Sequence, residues 1–424
     1  MSFSLSKNFL AVVAALAGTA MAAQASLLDL APYYPASQYA IDGSYIVRLK
    51  DGCSLQDHLN LVPGLLDLTI LELPFNLGYS AGLLDVTLDL VRQDKCVQYV
   101  EQNSGGEWLG LEDQADVEAY NSTSILEPRD VDAGVGYALK YLSSNMKNPA
   151  DDSYHYLANS GAGVDLYIMD SGINGAVPEF EGRVTDFINR SDDPGFNDRQ
   201  DHGTSVASCA GSRTYGSAKK PNLLNAKIRT KTNRLIAALG DIVQRHNSQK
   251  SVSGFKGSVI NMSFRTGASQ TASEALKQAF GAGIAMVAAA GNSKEDAAGT
   301  FPCNSGYTTC IGASGSDYKL ADFSNFGQAV DFVASGVQVN TVAAAGNAPV
   351  KRSGTSFAAP YAAGVLTVFY GYQGPNLSPS DAADLLFYNS DGGYIENIPA
   401  DQANFMINSG FQKATGGQPY RMGL

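Results

Sequence analysis

The amino-acid sequence predicts an α/β fold in which a parallel β-sheet has helices on both faces, with a small domain of strands and helices in front of it. Apolar runs typical of buried strands alternate with amphipathic helical patterns from about residue 134 to residue 374. Such alternation favours a parallel sheet, because the crossover helices then cover both of its faces. The chain has 424 residues, enough for two or three domains and one large core.

Composition narrows the class of protein. The hydrophobic content of 44% is ordinary for a globular chain, which excludes a disordered or collagen-like protein. The net charge is −12, from 29 Lys and Arg against 41 Asp and Glu. This acidic balance argues against nucleic acid and against anionic membranes as partners, since both require clustered basic residues. Neutral or peptidic partners are expected.

The N-terminus has the pattern of a secretory signal peptide, assigned to residues 1–25. Lys7 precedes an apolar run over residues 9–17, and Ala-x-Ala cleavage sites follow up to Ala25. The run is shorter than the roughly 20 apolar residues that a membrane-spanning helix needs. An extracellular protein is predicted, with vacuolar delivery as the alternative destination.

Residues 26–103 form the predicted small domain, with strands at Tyr45–Lys50 and Val97–Glu101. From Asn103 to about Asp132 the chain becomes rich in Gly, Glu and Asp, which predicts an exposed linker. Residues 104–133 are therefore assigned as a maturation region. The larger domain is placed at residues 134–390, followed by an irregular C-terminal extension over 391–424. Its predicted strands are 164–169, 258–262 and 284–290, and its predicted helices are 235–246, 271–280 and 380–389.

Five cysteines in an oxidising compartment leave at least one thiol unpaired. Cys53 and Cys96 both lie in the small domain, Cys303 and Cys310 are close together in one loop, and Cys209 is left over. The pairing stays open at this point. No spacing matches a CxxC zinc motif, and Cys209 is expected to be a small buried side chain.

Four polar residues follow strands or begin helices of the large domain. Asp170 ends a buried strand, and His202 begins a helix of small residues, where the positive end of the helix dipole favours a neutral imidazole. Ser356 lies between a Gly-Thr turn and an apolar helix, and Asn292 follows the strand that ends in Gly291. Each alone fits a turn, a structural histidine or an N-cap. Together, in the order Asp, His, Ser, they indicate nucleophilic catalysis.

The segments MDSGINGAVPEFEGRV, DHGTSVASCAG, VAAAGNS and SGTSFAAPYAAGV resemble the subtilisin-like serine proteases, and within them the secreted proteinase K-like group. The resemblance implies a subtilisin-like fold and a monomeric serine endopeptidase with protein or peptide substrates. It assigns Ser356 as nucleophile, His202 as base, Asp170 as its orienting acid, and Asn292 with the Ser356 N–H as the oxyanion hole. Residues 43–103 resemble the inhibitory propeptide of the family, so a self-processing zymogen is expected.

The resemblance also assigns substrate contacts. Relatives carry Ser-Leu-Gly-Gly where this chain has Ser-Phe-Arg-Thr, and they use that backbone to pair with the substrate as an added strand. Arg265 therefore either narrows the cleft or favours an acidic substrate residue, unless it points into solvent. The residues assigned to substrate binding are Ser263, Phe264, Arg265, Ala289, Ala290 and Gly291.

No cofactor is expected for catalysis, but a structural calcium ion is a family property. Asp331 matches a carboxylate ligand, with the carbonyls of Tyr307 and Thr309 as its partners; a plain surface carboxylate is the alternative. Ser205 replaces a histidine usual in the family. Sequons at Asn121, Asn189 and Asn376 predict glycans, whereas Asn261 lies in a predicted buried strand and should carry none.

Two other functions remain open from the sequence. A catalytically silent homologue could bind peptides or proteins through the same cleft, and only the altered Ser-Phe-Arg-Thr segment favours this. A hydrolase of esters could use the same triad. The similarity of the small domain to a protease inhibitor favours peptide bonds.

Overall fold

The computed structural model describes residues 30–110, 131–133, 136–144, 153–156, 159–346 and 349–410. The predicted signal peptide and the sequon at Asn121 lie outside these residues. Within them, no helix is both long enough and apolar enough to span a membrane.

A nine-stranded sheet forms the centre of the large domain, as the alternating pattern predicted. Its strand order is β10-β11-β9-β12-β14-β15-β16-β20-β19, and neighbouring strands are parallel except for the final pair. The strands are β9 Val164–Asp170, β10 Val184–Arg190, β11 Asn222–Ile228, β12 Gly257–Met262, β14 Ala285–Ala289, β15 Thr309–Ser314, β16 Phe332–Ser335, β19 Asp391–Gly392 and β20 Phe405–Met406.

Helices cover both faces of this sheet because side chains alternate along each buried strand. In β9, Leu166 and Ile168 join one apolar cluster, whereas Tyr167 and Met169 join the cluster on the other face. The first cluster contains α4 His202–Gly211, α7 Thr355–Gln373 and α8 Pro379–Asn389; the second contains α5 Thr232–Gln249 and α6 Gln270–Gly281.

The small domain is a five-stranded sheet with order β1-β5-β2-β4-β3. The side chains of strand β2 pack on both faces of this sheet. Tyr45, Val47 and Leu49 pack into the domain's own core, while Ile46 joins the cluster that contains residues of α5 and α6. One face of the sheet therefore packs against the large domain. The elements are β1 Tyr33–Tyr34, β2 Ala40–Leu49, α1 Leu55–Leu61, β3 Ile70–Leu73, β4 Gly78–Gly82, α2 Asp85–Gln93 and β5 Val97–Ser104.

Shorter elements complete the described chain. Two of them, β6 Gly106–Trp108 and β13 Phe264–Thr266, form an antiparallel pair at the edge of the large domain. The others are β7 Val131–Ala133, α3 Tyr137–Ser143, β8 Ser153–His155, β17 Val339–Val342, β18 Pro349–Arg352 and the 3₁₀ turns Pro178–Phe180, Ala297–Gly299 and Cys303–Ser305.

Two sequence predictions are wrong in part. The exposed linker predicted from Asn103 does not begin there, because Asn103 and Ser104 are buried at the end of β5 and residues 106–108 form β6. The tail after residue 390 is not wholly irregular, since Met406 pairs with Val333 at the sheet edge. In both cases the backbone partner comes from a segment distant in sequence, and local composition does not reveal it.

The cysteine pairing is settled by geometry: Cys53 is bonded to Cys96 and Cys303 to Cys310. Cys209 is a fully buried free thiol, and burial raises its pKa to about 12, so it is an inert side chain as predicted. Asn261 is fully buried, as its strand predicted.

The predicted glycan sites differ in accessibility. Asn376 is exposed, whereas the Asn189 amide donates hydrogen bonds to the carbonyls of Asp193 and Gly195.

Candidate active site

Asp170 and His202 meet where β9 ends and α4 begins. His202 Nδ1 lies 2.8 Å from Asp170 Oδ1, and the Ser171 N–H donates to the same oxygen at 2.7 Å. Asp170 is fully buried. Burial raises the pKa of Asp170, and the interaction with His202 and the Ser171 hydrogen bond act against that rise. This contact fixes Nδ1 as the protonated ring nitrogen and leaves Nε2 able to accept a proton.

Asp198 holds the two segments that carry this pair, a role that sequence reasoning missed. Its carboxylate accepts hydrogen bonds from Ser171 Oγ and from Thr204 N and Oγ1, all at 2.8 Å. Ser171 Oγ in turn accepts from the Gly203 N–H at 3.0 Å. The hydroxyl residues within the Asp-Ser-Gly and His-Gly-Thr motifs, Ser171 and Thr204, are the sequence signal that could have indicated a shared hydrogen-bond partner.

Ser356 is the second residue of α7, and Asn292 faces it from the loop after β14. Asn292 Oδ1 accepts hydrogen bonds from Thr355 N at 2.9 Å and from Thr355 Oγ1 at 2.8 Å. The amide Nδ2 is thereby turned toward the cleft. Gly354 precedes the helix with φ of +142°, a conformation that favours glycine.

Residues 106–110, called the cleft segment below, lie across this site. Strand β6 pairs antiparallel with β13, and the Leu109 N–H donates to the Ser263 carbonyl at 3.2 Å. The Leu109 carbonyl oxygen accepts from Asn292 Nδ2 at 2.5 Å and from the Ser356 N–H at 3.2 Å. Two donors therefore converge on one peptide carbonyl beside a serine hydroxyl.

The Ser356 hydroxyl and the His202 imidazole are close to the same peptide bond. Ser356 Oγ donates to the Ser263 carbonyl at 3.2 Å, and His202 Nε2 is a buried nitrogen with no hydrogen-bond partner among the described residues. A Cβ on Gly110 would lie 2.8 Å from His202 Cδ2 and 3.1 Å from Nε2. The imidazole is therefore next to the residue that follows Leu109.

Of the residues assigned to substrate binding, some lie beside the cleft segment and others make hydrogen bonds elsewhere in the large domain. Ser263, Phe264 and Arg265 lie along the cleft segment, and Ala289 shares the apolar cluster of Leu109. Gly291 instead donates to Thr355 Oγ1 at 3.1 Å, while the Ala290 N–H donates to the Ile311 carbonyl within the sheet.

Arg265 neither points into solvent nor stands alone. Its guanidinium lies 2.6 Å from the Glu107 carboxylate and 2.7 Å from that of Glu295, and it donates to Ser293 Oγ at 3.3 Å. Its side chain is 12% exposed.

Asp331 lies at a cavity of about 520 Å³ that Tyr307 and Thr309 also line, so the predicted calcium ligands share one space. Its Oδ2 accepts from the Cys310 N–H at 2.8 Å. Partial burial raises the pKa of this carboxyl to about 6. No group of three or more His, Cys, Asp or Glu residues with metal-binding geometry occurs in the described chain. Calcium would thus depend on Asp331 with backbone oxygens.

The fold and the convergent Asp, His, Ser and Asn side chains define a class of serine hydrolase. The model of the subtilase family matches residues 161–411. The chain belongs to the subtilase family and is a subtilisin-like serine protease.

Individual relatives agree with this. An alkaline serine protease, ver112, from Corniculantispora psalliotae is 26% identical over 95% of this chain and 99% of its own length. Proteinase T from Parengyodontium album is 31% identical over 65% of this chain and 92% of its own. A crystal structure of a cold-adapted subtilisin-like serine proteinase is 28% identical, with a TM-score of 0.57 over 64% of this chain and 97% of that one.

Fervidolysin from Fervidobacterium pennivorans, 19% identical, matches the fold over 90% of this chain and 62% of its own with a TM-score of 0.65.

Proposed function

We propose that this chain is the precursor of a secreted serine endopeptidase that cleaves its own peptide bond between Leu109 and Gly110 and then hydrolyses other proteins. The observation that carries the proposal is the Leu109 carbonyl oxygen, which accepts hydrogen bonds from Asn292 and from the Ser356 N–H. These donors lie where negative charge develops when a nucleophile attacks that carbonyl.

In the first step, Ser356 Oγ turns from the Ser263 carbonyl to His202 Nε2, gives up its proton there and attacks the Leu109 carbonyl carbon. A serine hydroxyl is too weak a nucleophile without such a base. Asp170 stabilises the imidazolium through Nδ1 without itself taking the proton. The oxyanion is held by Asn292 Nδ2 and the Ser356 N–H.

In the second step, the tetrahedral intermediate collapses and the Leu109–Gly110 bond breaks. His202 returns its proton to the Gly110 nitrogen, and the position of the imidazole next to Gly110 suits this transfer. Water then attacks the acyl-serine with His202 again as base, and Ser356 is regenerated. Substrate proteins would follow the same course after the cleft segment has left.

The N-terminal domain acts in this proposal as an intramolecular inhibitor. Until the cleft segment leaves, its backbone fills the substrate position beside β13. Two disulfides and the signal-like N-terminus favour the secretory route.

Time-resolved intact mass of the secreted protein tests the proposal, with wild type beside Ser356→Ala and casein hydrolysis assayed on the same samples. We expect the wild type to lose residues up to Leu109 and to digest casein, while the variant stays joined at 109–110. If both chains stay uncut and inactive toward casein, the proposal fails and a peptide-binding homologue is favoured. Cleavage of a simple ester but no peptide amide would instead favour an esterase.

A further inference from the structure

We propose that Arg265 makes the mature enzyme prefer substrates with an acidic side chain at the third residue before the cleaved bond. This inference rests on the proposed cleavage after Leu109, which makes Leu109, Trp108 and Glu107 the first, second and third residues. The third residue of the cleft segment is the one whose side chain contacts Arg265.

The contact follows from the strand register. Arg265 in β13 is paired directly with Glu107 in β6. Directly opposed residues of an antiparallel pair project their side chains to the same face. The guanidinium and the Glu107 carboxylate are 2.6 Å apart, a charge-assisted hydrogen bond. Any substrate that binds β13 in this register presents its third side chain to Arg265.

Arg265 has partners that stay after the N-terminal domain leaves. Glu295 lies 2.7 Å and Ser293 3.3 Å from the guanidinium, and both belong to the large domain. The Tyr39 ring, 5.6 Å away, departs with the N-terminal domain. The retained contacts keep the arginine oriented toward the substrate, which lowers the entropic cost of binding an acid there.

Neighbouring positions are recognised differently. The ring of Trp108 lies 5.6 Å from that of His202 and 5.7 Å from that of Phe264, so the second position contacts aromatic surface. The Gly106 carbonyl accepts from Thr230 Oγ1 at 3.0 Å, and a Cβ at this position would lie 1.9 Å from the Arg265 carbonyl oxygen, so the fourth position favours glycine. Of the second, third and fourth positions, the third is therefore the one whose side chain pairs with a charged residue.

Glu295 also limits the size of the effect, because it shares the charge of Arg265. Glu107 is 47% exposed, and partly exposed ion pairs contribute little. We expect kcat/KM to be about fivefold higher for Glu than for Gln at this position. A Lys there would face the guanidinium and should be cleaved more slowly than Gln. Glu295→Gln should increase the preference for Glu.

The test uses mature enzyme from the full-length chain and three quenched fluorescent peptides containing Gly-X-Trp-Leu-Gly, with X as Glu, Gln or Lys. Arg265→Glu should reverse the order, so that Lys is preferred to Glu. Arg265→Met should remove the preference for Glu, and because Glu295 then loses its partner cation, Lys should be cleaved slightly faster than Glu. Lys294→Glu is the matched control, because Lys294 is an exposed neighbouring cation that pairs with Asp322. High salt should reduce the wild-type preference.

Arg265→Glu could impair self-processing by repelling Glu107. The double variant Arg265→Glu, Glu107→Lys restores opposite charges and should process faster than the single variant. Maturation by added wild-type enzyme, followed by its removal on an affinity tag, gives a second route to the variant protease.

The outcomes separate the two proposals. Equal cleavage of the three peptides by wild type, or an equal change caused by Lys294→Glu, overturns the role of Arg265 while leaving the endopeptidase intact. Cleavage of none of the peptides, together with inactivity toward casein, overturns the proposed function itself.

Discussion

The N-terminal domain contacts the protease in two places that work by different chemistry. The cleft segment binds mainly through its backbone, by pairing with β13 and through the carbonyl of Leu109. The domain face, which includes Arg48 and Glu101 of the small sheet, binds through side chains that contact the start of α6. The first contact uses backbone groups that every peptide has, whereas the second depends on the side chains of this domain.

Glu101 is the centre of the domain face. Its carboxylate is buried at the start of α6, where it accepts from Gln270 N at 2.6 Å, Thr271 Oγ1 at 2.7 Å and Ser269 Oγ at 2.9 Å. These groups include backbone donors that a helix leaves unpaired, and the positive end of the helix dipole favours the charge. Arg48 adds a 2.9 Å ion pair with Glu274 of the same helix.

Backbone pairing can accept many extended peptides, so under the proposed function this contact alone would not distinguish the N-terminal domain from a substrate. The domain face depends on particular side chains, so under the proposed function the domain would stay bound after the bond to Gly110 is cut. Changes at the two contacts should therefore have separable effects.

The largest effect is expected from Asn292→Ala, which acts only on the cleft contact. In subtilisin, loss of the corresponding oxyanion donor lowers turnover by about 10²–10³. We expect a similar fall in the rate of self-cleavage, measured by intact mass, and in kcat on a peptide. A normal rate would contradict the role given to Asn292.

Glu101→Gln should act only on the domain face. It removes a buried charge that accepts several hydrogen bonds, and we expect the processed domain to dissociate about tenfold faster. The rate at which protease activity appears after dilution of the processed complex measures this. Glu72→Gln, at an exposed position of β3, is the control and should leave the rate unchanged. Equal rates for both variants would show that Glu101 does not hold the domain.

Gly110→Ala should slow self-cleavage by a smaller factor. The added Cβ would lie 2.8 Å from His202 Cδ2, so the imidazole or the peptide must shift. Displacing the imidazole or the reacting peptide lowers the reaction rate, and we expect self-cleavage to be slower by about tenfold or less. Gly105→Ala is the matched control, since its nearest contact would be 3.6 Å away. Equal rates for both variants would place the cut elsewhere.

Asp331→Asn should leave both contacts unchanged and affect only stability. If calcium binds there, added calcium should raise the melting temperature of the wild type by a few degrees. Ligand binding typically raises the melting temperature of a domain this large by about that much. The variant should lose this shift. Because the carboxyl has a pKa of about 6, the wild-type shift should be larger at pH 8 than at pH 5, where the protonated acid cannot bind the ion.

Asp322→Asn, at an exposed carboxylate, is the control for this experiment and should respond to calcium like the wild type. If calcium raised the melting temperature of Asp331→Asn as much as that of the wild type, calcium would have to bind at another site.

Much of the large domain could be predicted because its signals are local. The helix predicted at residues 235–246 lies within Thr232–Gln249, and the strand predicted at 164–169 lies within Val164–Asp170. The proximity of Asp170, His202 and Ser356 could be expected only through motifs, since distances between chain segments are not encoded in spacing. Asp198 had no motif and was missed.

The sequence by itself determined the residue types that carry chemistry and the apolar periodicity that builds the sheet, because both are properties of short segments. Only the tertiary structure decided that residues 106–110 lie in the cleft and that Arg265 faces Glu107. Composition marked that segment as a linker, because its Gly and Glu residues have no local partner. Its hydrogen-bond partners, in β13 and at Asn292 and Ser356, are more than 150 residues away in the chain, and these contacts depend on how the two domains pack.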